Sequence, residues 1–367
     1  MPDVTPIPLI HWLESWYIKV NQAKGAKLKT VITAVFTVVS LFTLIGCQPQ
    51  AKEKKLSPDG KVLLAVDFHK GETIRYKFLS RRDIELDWGA MKGDTTKSKA
   101  DKVFESVEMV VAYTPVEVDP FGLTTINATC ESIKVDQTAP TGRQSGRKDA
   151  VETFAGKTFT FTVNAAGKIE DNSQLEQLIK EAGKNVFRPD DGGKKVKEPD
   201  MIGDFIATQW FLWNSTSSIE KPADGVSIGQ TWNSQLSVPV SMILIQARNV
   251  AYSLAEIRRS DKGRLAVIRS TYSLPEVTPR IWPLPYSGTF HQMSGRFGFL
   301  RGYKALSLQG QGEELFNIDA GRIERYNQQY QMELRSTLPM GISGIVPITL
   351  KQNLSMELLE DSQTPKK

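Results

Sequence analysis

Histidine and cysteine are nearly missing from this chain, with three and two copies in 367 residues. Zinc sites and charge-relay sites draw on such side chains at short spacings, and neither His69 nor His291 has a partner donor at a recognisable distance along the sequence. Charge of one sign is also lacking: 46 basic and 41 acidic residues give a formal net charge of +5. That balance is too weak to imply a nucleic-acid partner. No phosphate-loop pattern occurs, and "GQGEE" from Gly310 does not complete a dinucleotide fingerprint, so no cofactor is expected. Acidic residues are scattered along alternating segments, and no pair can be nominated for acid-base work.

One of the two cysteines has a telling position. Thr30 to Gly46 is a run without a charged residue, and Lys24, Lys27 and Lys29 precede it, which is the basic-then-apolar order of an export signal. A spanning helix needs about 20 apolar residues, and this run is shorter and rich in Thr and Ser. Leu44, Ile45, Gly46 and Cys47 resemble a bacterial lipobox, in which the thiol takes a diacylglyceryl group, cleavage follows the small residue, and the new amino terminus is acylated. The resemblance implies a signal peptide over residues 1–46, cleavage between Gly46 and Cys47, and lipid on Cys47. Several acyl chains on one residue satisfy the rule that lasting anchorage needs more than one. The alternative is a signal anchor in which Cys47 is a small apolar residue. Residues 1–23 precede the basic cluster and are expected to be a misassigned start.

Cleavage there removes four basic and two acidic residues, leaving 321 residues with 42 basic and 39 acidic. Only Cys130 then remains, so no intramolecular disulfide can form and stability must come from packing. Cys130 alternates in step with Ile126 and Ala128, the pattern of a small buried residue. Residue 48 is Gln and not the Asp that favours inner-membrane retention in well-studied lipoproteins. The expected address is the bacterial cell envelope, periplasm-facing, with the outer membrane favoured.

Residues 47–60 are polar, with two prolines, and read as a lipidated tether. Beyond it the dominant period is two. Ile74, Tyr76 and Phe78 alternate with Thr73, Arg75 and Lys77, and Phe159, Phe161 and Val163 alternate with threonines. These patterns predict half-buried antiparallel strands. More strands are predicted over 107–113, 237–245, 264–274, 330–334 and 347–359, with turns at "NAAGK", "DKGR" and "DAGR". Helices are predicted over 173–183 and, more weakly, 198–211. Three landmarks recur in order: "GETIRY", "FGLTTINA" and "TVNAAGKIE", then "GQTWNS", "DKGRLAVI" and "FNIDAGRIE". Their order predicts a duplicated body, with a first β-rich half at 61–182, a connector containing a helix at 183–228, a second half at 229–360 and a tail at 361–367. The expected fold is mainly β: tandem antiparallel units forming curved sheets or an open half-barrel with one or two short helices.

Two stretches invite a functional reading. The segment from Leu274 to Phe299 alternates prolines and aromatics, and Trp282, Tyr286, Phe290 and Phe297 make it a candidate binding loop. Packing of those rings over an open sheet end is the plainer reading. "GVSIG", Gly225 to Gly229, matches the G-x-S-x-G hydrolase pattern around Ser227, but a strand and not a helix follows it, so the sharp strand-to-helix turn that exposes a nucleophile is not expected.

The lipobox, the duplicated β body, "VSIGQTW" (Val226, Gly229, Trp232) and "FNIDAGRIE" resemble a family of bacterial envelope lipoproteins of unknown function. The likeness runs roughly from Gly71 to Glu360 and implies no catalytic residues. Together these readings predict a non-enzymatic protein held to the membrane through lipid on Cys47, with a lipid or other hydrophobic ligand as its partner. A scaffold binding an envelope protein is the alternative, and a serine hydrolase at Ser227 the remote one.

Overall fold

The computed structural model describes residues 60–89, 100–138, 149–186, 201–212, 224–237, 247–276, 300–338 and 344–360. Eleven strands form a single antiparallel sheet: β1 (Ile74–Asp87), β2 (Ala100–Val118), β3 (Thr124–Gln137), β4 (Thr158–Val163), β5 (Ile169–Asp171), β6 (Thr231–Ser237), β7 (Ala247–Ser260), β8 (Gly263–Ser273), β9 (Arg301–Asn317), β10 (Arg322–Thr337) and β11 (Ile345–Leu359). Their spatial order is β5-β4-β3-β2-β1-β11-β10-β9-β8-β7-β6. The sheet is not closed, and β5 and β6 are its edges. The expected mainly β, open architecture is what the chain adopts.

Chain connectivity explains that order. The chain forms one meander from β1 to β5 and another from β6 to β11, and the long pairing of β1 with β11, from Arg75 opposite Leu359 to Leu86 opposite Ile348, fuses them. The landmarks seen in the sequence fall at matching places: Gly71 and Gly229 precede the first strand of each meander, and the turns Asn164–Gly167 and Asp319–Gly321 follow the fourth. Gly167 and Gly321 both adopt positive φ, which side chains with a Cβ rarely accept. Polar side chains brace these turns. Asn164 Oδ1 accepts from the backbone of Ala166 and Lys168, and Asn317 Oδ1 from that of Asp319 and Ala320.

The two ends of the sheet differ. All four tight turns, after β2, β4, β7 and β9, lie at the end where β1 begins, and β1, β3, β6, β8 and β10 finish at the other. The first described residues run along the tight-turn end. Val62 bridges Val226 just before β6, Asp67 donates its backbone N–H to Gly321, and Glu72 pairs with Arg322 before the chain enters β1. Any tether ahead of residue 60 therefore joins the body at that end.

Two helices occupy the link from β5 to β6: α1 (Ser173–Val186) and α2 (Ile202–Phe211). The first extends past the predicted glycine, and the second starts at Ile202, four residues later than predicted. In α1 only a stripe is buried, including Leu175 and Ile179. In α2 almost every described side chain is buried, with Phe205 packed edge-on against Phe154 of a short 3-10 turn (Ala150–Phe154) and against Phe159 of β4. α2 thus packs on the inner face of the sheet, over its first half. The predicted strand at 237–245 lies almost wholly outside the described residues.

Candidate ligand site on the inner face

Strand periodicity sends alternate side chains to the buried face, and register aligns them into rows across the sheet. One row is apolar: Val103, Ile84, Leu350, Met332 and Leu308, on β2, β1, β11, β10 and β9. The next is mostly polar and, apart from half-buried Gly310, buried, running Gln137, Glu105, Arg82, Gln352, Tyr330, Gly310, Tyr272, Val250 and Ser234 from β3 to β6. A third is mixed, with Val107, Ser80, Leu354, Gln328, Gly312, Ser270, Tyr252 and Trp232. The inner face therefore carries a polar belt between apolar margins. Burying such groups is costly unless each finds a partner.

In the first half every charge does. Arg82 donates from Nε to Glu105 at 2.6 Å and from Nη2 to Asp204 of α2 at 2.9 Å, and its own side chain is 0% exposed. Ser80 donates to Asp204 at 2.5 Å and accepts from Gln352 Nε2 at 2.6 Å. Tyr113 donates to Gln209 of α2 at 2.9 Å. These bonds pin α2 to the sheet. Burial pulls the Arg82 pKa down, but the carboxylates of Asp204 and Glu105 outweigh it and hold the guanidinium above its ordinary value. Burial likewise raises the Asp204 pKa, opposed by Arg82 and Ser80.

The second half holds another fully buried arginine, Arg248 of β7, with a different outcome. Its guanidinium lies 4.7 Å from the ring centre of Tyr272 on β8 and 5.5 Å from that of Tyr330 on β10. The strand between those tyrosines is β9, and its inward positions there are Gly310 and Gly312. A Cβ on Gly310 would stand 2.4 Å from Tyr330 Cβ, and one on Gly312 2.4 Å from the Tyr272 hydroxyl. The glycines leave the space that the tyrosines occupy. Arg248 then reaches Gln328 on β10, donating from Nη1 at 2.9 Å. On a flat sheet those strands are about 14 Å apart, so the contact requires both long side chains and inward curling.

Around it a chain of hydroxyls links Ser270, Tyr272, Tyr326 and Gln328 at 2.7, 3.0 and 3.1 Å. Burial, chiefly, raises the pKa of Tyr252, Tyr272, Tyr326 and Tyr330, so all four phenols are neutral donors at physiological pH. Five buried donors around Arg248 have no acceptor: Arg248 Nε and Nη2, the Trp232 indole N–H, the Tyr252 hydroxyl and Gln328 Nε2. Trp232 and Tyr252 stack at 5.5 Å. This is a donor-rich, aromatic-lined place; elsewhere on the face the Ser336 hydroxyl and Gln352 Oε1 also lack partners.

The opposite face of the sheet carries a groove of about 640 Å³ over the middle strands, lined among others by Arg81, Arg269, Gln311, Glu313, Gln329 and Asn353. Exposed side chains there are amides, charges and the Thr271 hydroxyl, and the lining includes no aromatic ring.

Of the residues singled out from sequence, Cys130 and Ser227 are among those described. Gly46, Cys47, Trp282, Tyr286, Phe290 and Phe297 lie outside the described residues. In sequence, the segment carrying the four aromatics follows β8 and precedes β9. Cys130 is fully buried, and burial pushes its thiol up to about 12, which suits the packing role read from its alternation. Among the described residues no cluster of three or more His, Cys, Asp or Glu side chains is placed to hold a metal ion, and no helix is long and apolar enough to cross a membrane.

Ser227 sits in a turn whose hydrogen bonds use its backbone N–H, donated to Gln230 Oε1 at 2.9 Å, and its carbonyl, which accepts from Gln230. Strand β6 follows directly. Ser227→Ala is expected to shift stability by less than about 0.5 kcal/mol and to leave every activity of the purified protein unchanged. Loss of a hydrolytic activity in that variant, measured on ester substrates, would restore the hydrolase reading.

No family model matches this chain, and no curated protein matches it in sequence. Among solved structures, one described as lipid-protein interactions in lipovitellin is similar over 82% of this chain and 26% of that one, with 10% identity and a TM-score of 0.40. The chain therefore spans about a quarter of the length of that protein.

Proposed function

We propose that this chain is a non-enzymatic lipoprotein of the bacterial cell envelope, anchored through lipid on Cys47, whose curled sheet binds an amphiphilic ligand against the inner face of its second half. The observation that carries the reading is the group of buried donors without acceptors around Arg248, among Trp232, Tyr252, Tyr272 and Tyr330. A surface built only for packing has its buried charges paired, as Arg82 is with Glu105 and Asp204. Aromatic rings beside a few convergent polar groups are the usual composition of a small-molecule site.

The arrangement of the ends agrees with anchorage. The tether enters at the tight-turn end, where Phe121 at the β2–β3 turn is 91% exposed and Leu123 beside it is 41% exposed. The scaffold reading draws on a separate observation, the polar groove of the outer face.

Mass spectrometry of the protein isolated from its own envelope tests the reading in two places. The amino-terminal peptide is expected to carry acyl chains on Cys47; an unmodified cysteine would sink the anchor. The body from Leu56 onward, released by proteolysis so that anchor lipid is left behind, is expected to yield a stoichiometric amphiphile in organic extract. An empty body on an acylated Cys47 would favour the scaffold.

A further inference from the structure

The two inward arginines differ in what their donors meet. Arg82 has its Nε and Nη2 N–H groups taken by Glu105 and Asp204. Arg248 bonds only through Nη1, to the neutral amide oxygen of Gln328, and its Nε and Nη2 have no partner. Those two N–H groups form one edge of the planar guanidinium, and they are the parallel pair that grips both oxygens of a carboxylate or phosphate. Stacking between Tyr272 and Tyr330, with the Gln328 bond on the far nitrogen, fixes the direction in which that edge points. A neutral partner could satisfy one of the donors. An oxyanion satisfies both and neutralises the charge.

Nothing on the described sheet does so instead. Glu314, the nearest inward carboxylate in sequence register, belongs to the row of Tyr326 and Ile268, beyond the rows of Gly310 and Gly312. It makes no bond to any of the three guanidinium nitrogens. A buried cation left without a counter-charge is strongly unfavourable, and a hydrophobic side chain of the same volume would pack there at less cost.

We infer that Arg248 is the head-group anchor of the inner face, selecting amphiphiles that end in a carboxylate or a phosphate and placing their apolar chain among Trp232, Tyr252 and the neighbouring apolar rows. The inference deepens the ligand-binding reading above and rests on it. It assigns a charge to the ligand, which that reading leaves open. Because Arg248 is fully buried in this state, the inner face must open for entry, and association is expected to fall below the usual diffusional range.

The test is calorimetric titration of the proteolytically released body with four twelve-carbon probes: laurate, dodecyl phosphate, dodecanol and dodecyltrimethylammonium. Laurate, dodecyl phosphate or both are expected to bind about ten- to a hundredfold more tightly than dodecanol, the range for bonds to a charged group. The relative affinity of the two anions shows which head group is preferred. Arg248→Gln is expected to bring anion affinity down to that of dodecanol while leaving dodecanol binding in place. Arg248→Lys, which keeps the charge and loses the fork, is expected to fall between. Dodecanol binding as well as the anions in the wild type would overturn the inference and leave the ligand-binding reading standing, as would Arg248→Gln retaining the preference. Failure of all four probes to bind would overturn both. Should Arg248→Gln not fold, the wild-type comparison of laurate with dodecanol still decides.

Discussion

Replacing Arg82 with methionine is expected to cost about 3–5 kcal/mol of folding stability, a large share of the roughly 5–15 kcal/mol that holds a domain of this kind together. The cost comes from what remains behind. Glu105 and Asp204 are both buried to within 1% of complete exclusion, and Arg82 is the cation that each of them touches. Methionine fills most of the volume and leaves two carboxylates facing each other in a medium of low polarity. Urea unfolding followed by tryptophan fluorescence would read the loss as a lower midpoint. A triple replacement, Arg82→Met with Glu105→Leu and Asp204→Leu, is expected to recover most of it, because an apolar set of similar volume has no desolvation cost to repay. Loss below about 1 kcal/mol in Arg82→Met would show that the carboxylates are not charged in the fold, and the paired reading of the first half would fail.

Acidity bears on the role of Asp204. Burial lifts the folded-state pKa of Asp204 above its ordinary 3.8, against the pull of Arg82 and Ser80. The folded chain therefore holds that proton more tightly than the unfolded chain does. The contribution of Asp204 to stability is full below 3.8 and is lost as pH rises through the higher folded value. Asp204→Asn removes this loss, and its unfolding midpoint should vary less with pH across that window than the wild type's does.

The reading of the sequence reached the architecture by a route that physical reasons make reliable. Strict alternation, as in "KTFTFTV", has no helical counterpart, and the glycine turns after β4, β7 and β9 close short loops that can only be hairpins. The strand missed most clearly was β9, where "SLQGQGEELFN" places Gly310 and Gly312 at inward positions and so erases the apolar half of the pattern. β7 was overlooked for a similar reason, since Arg248 stands where an apolar residue would mark the inner set. The polar belt itself left a trace. In β1 the inward set reads Tyr76, Phe78, Ser80, Arg82, Ile84, Leu86, and in β11 Ile348, Leu350, Gln352, Leu354, Met356. Polar residues that keep step with an apolar alternation point inward, and listing them strand by strand would have nominated Arg82, Glu105, Gln328 and Arg248. Which of these meets a partner is a matter of register across strands remote in sequence, such as β1 with β11, and no local pattern contains it.

The same argument singles out Gly310 as the residue on which the second half turns. It is opposite Tyr330 on one side and Tyr272 on the other, and neither it nor Gly312 adopts positive φ, so both glycines are there for space and not for backbone freedom. A methyl group on Gly310 would meet the Gln329 carbonyl oxygen at 2.4 Å and Tyr330 Cα at 2.7 Å, atoms of the strand to which β9 is itself hydrogen-bonded. Relief requires moving β10 away and breaking the ladder. Gly310→Ala is accordingly expected to lose about 3 kcal/mol, at the upper end of what overpacking usually costs. At Gly312 the nearest atoms are the Tyr272 and Ser270 hydroxyls, at 2.4 and 2.6 Å, which belong to side chains. Gly312→Ala should cost less, and adding Tyr272→Phe should restore part of that loss while doing nothing for Gly310→Ala. Equal penalties at the two positions, or rescue of both by Tyr272→Phe in a double-mutant cycle, would mean that β9 and β10 separate easily. In that case the slot that seats Arg248 between its tyrosines would be a property of those side chains and not of the sheet.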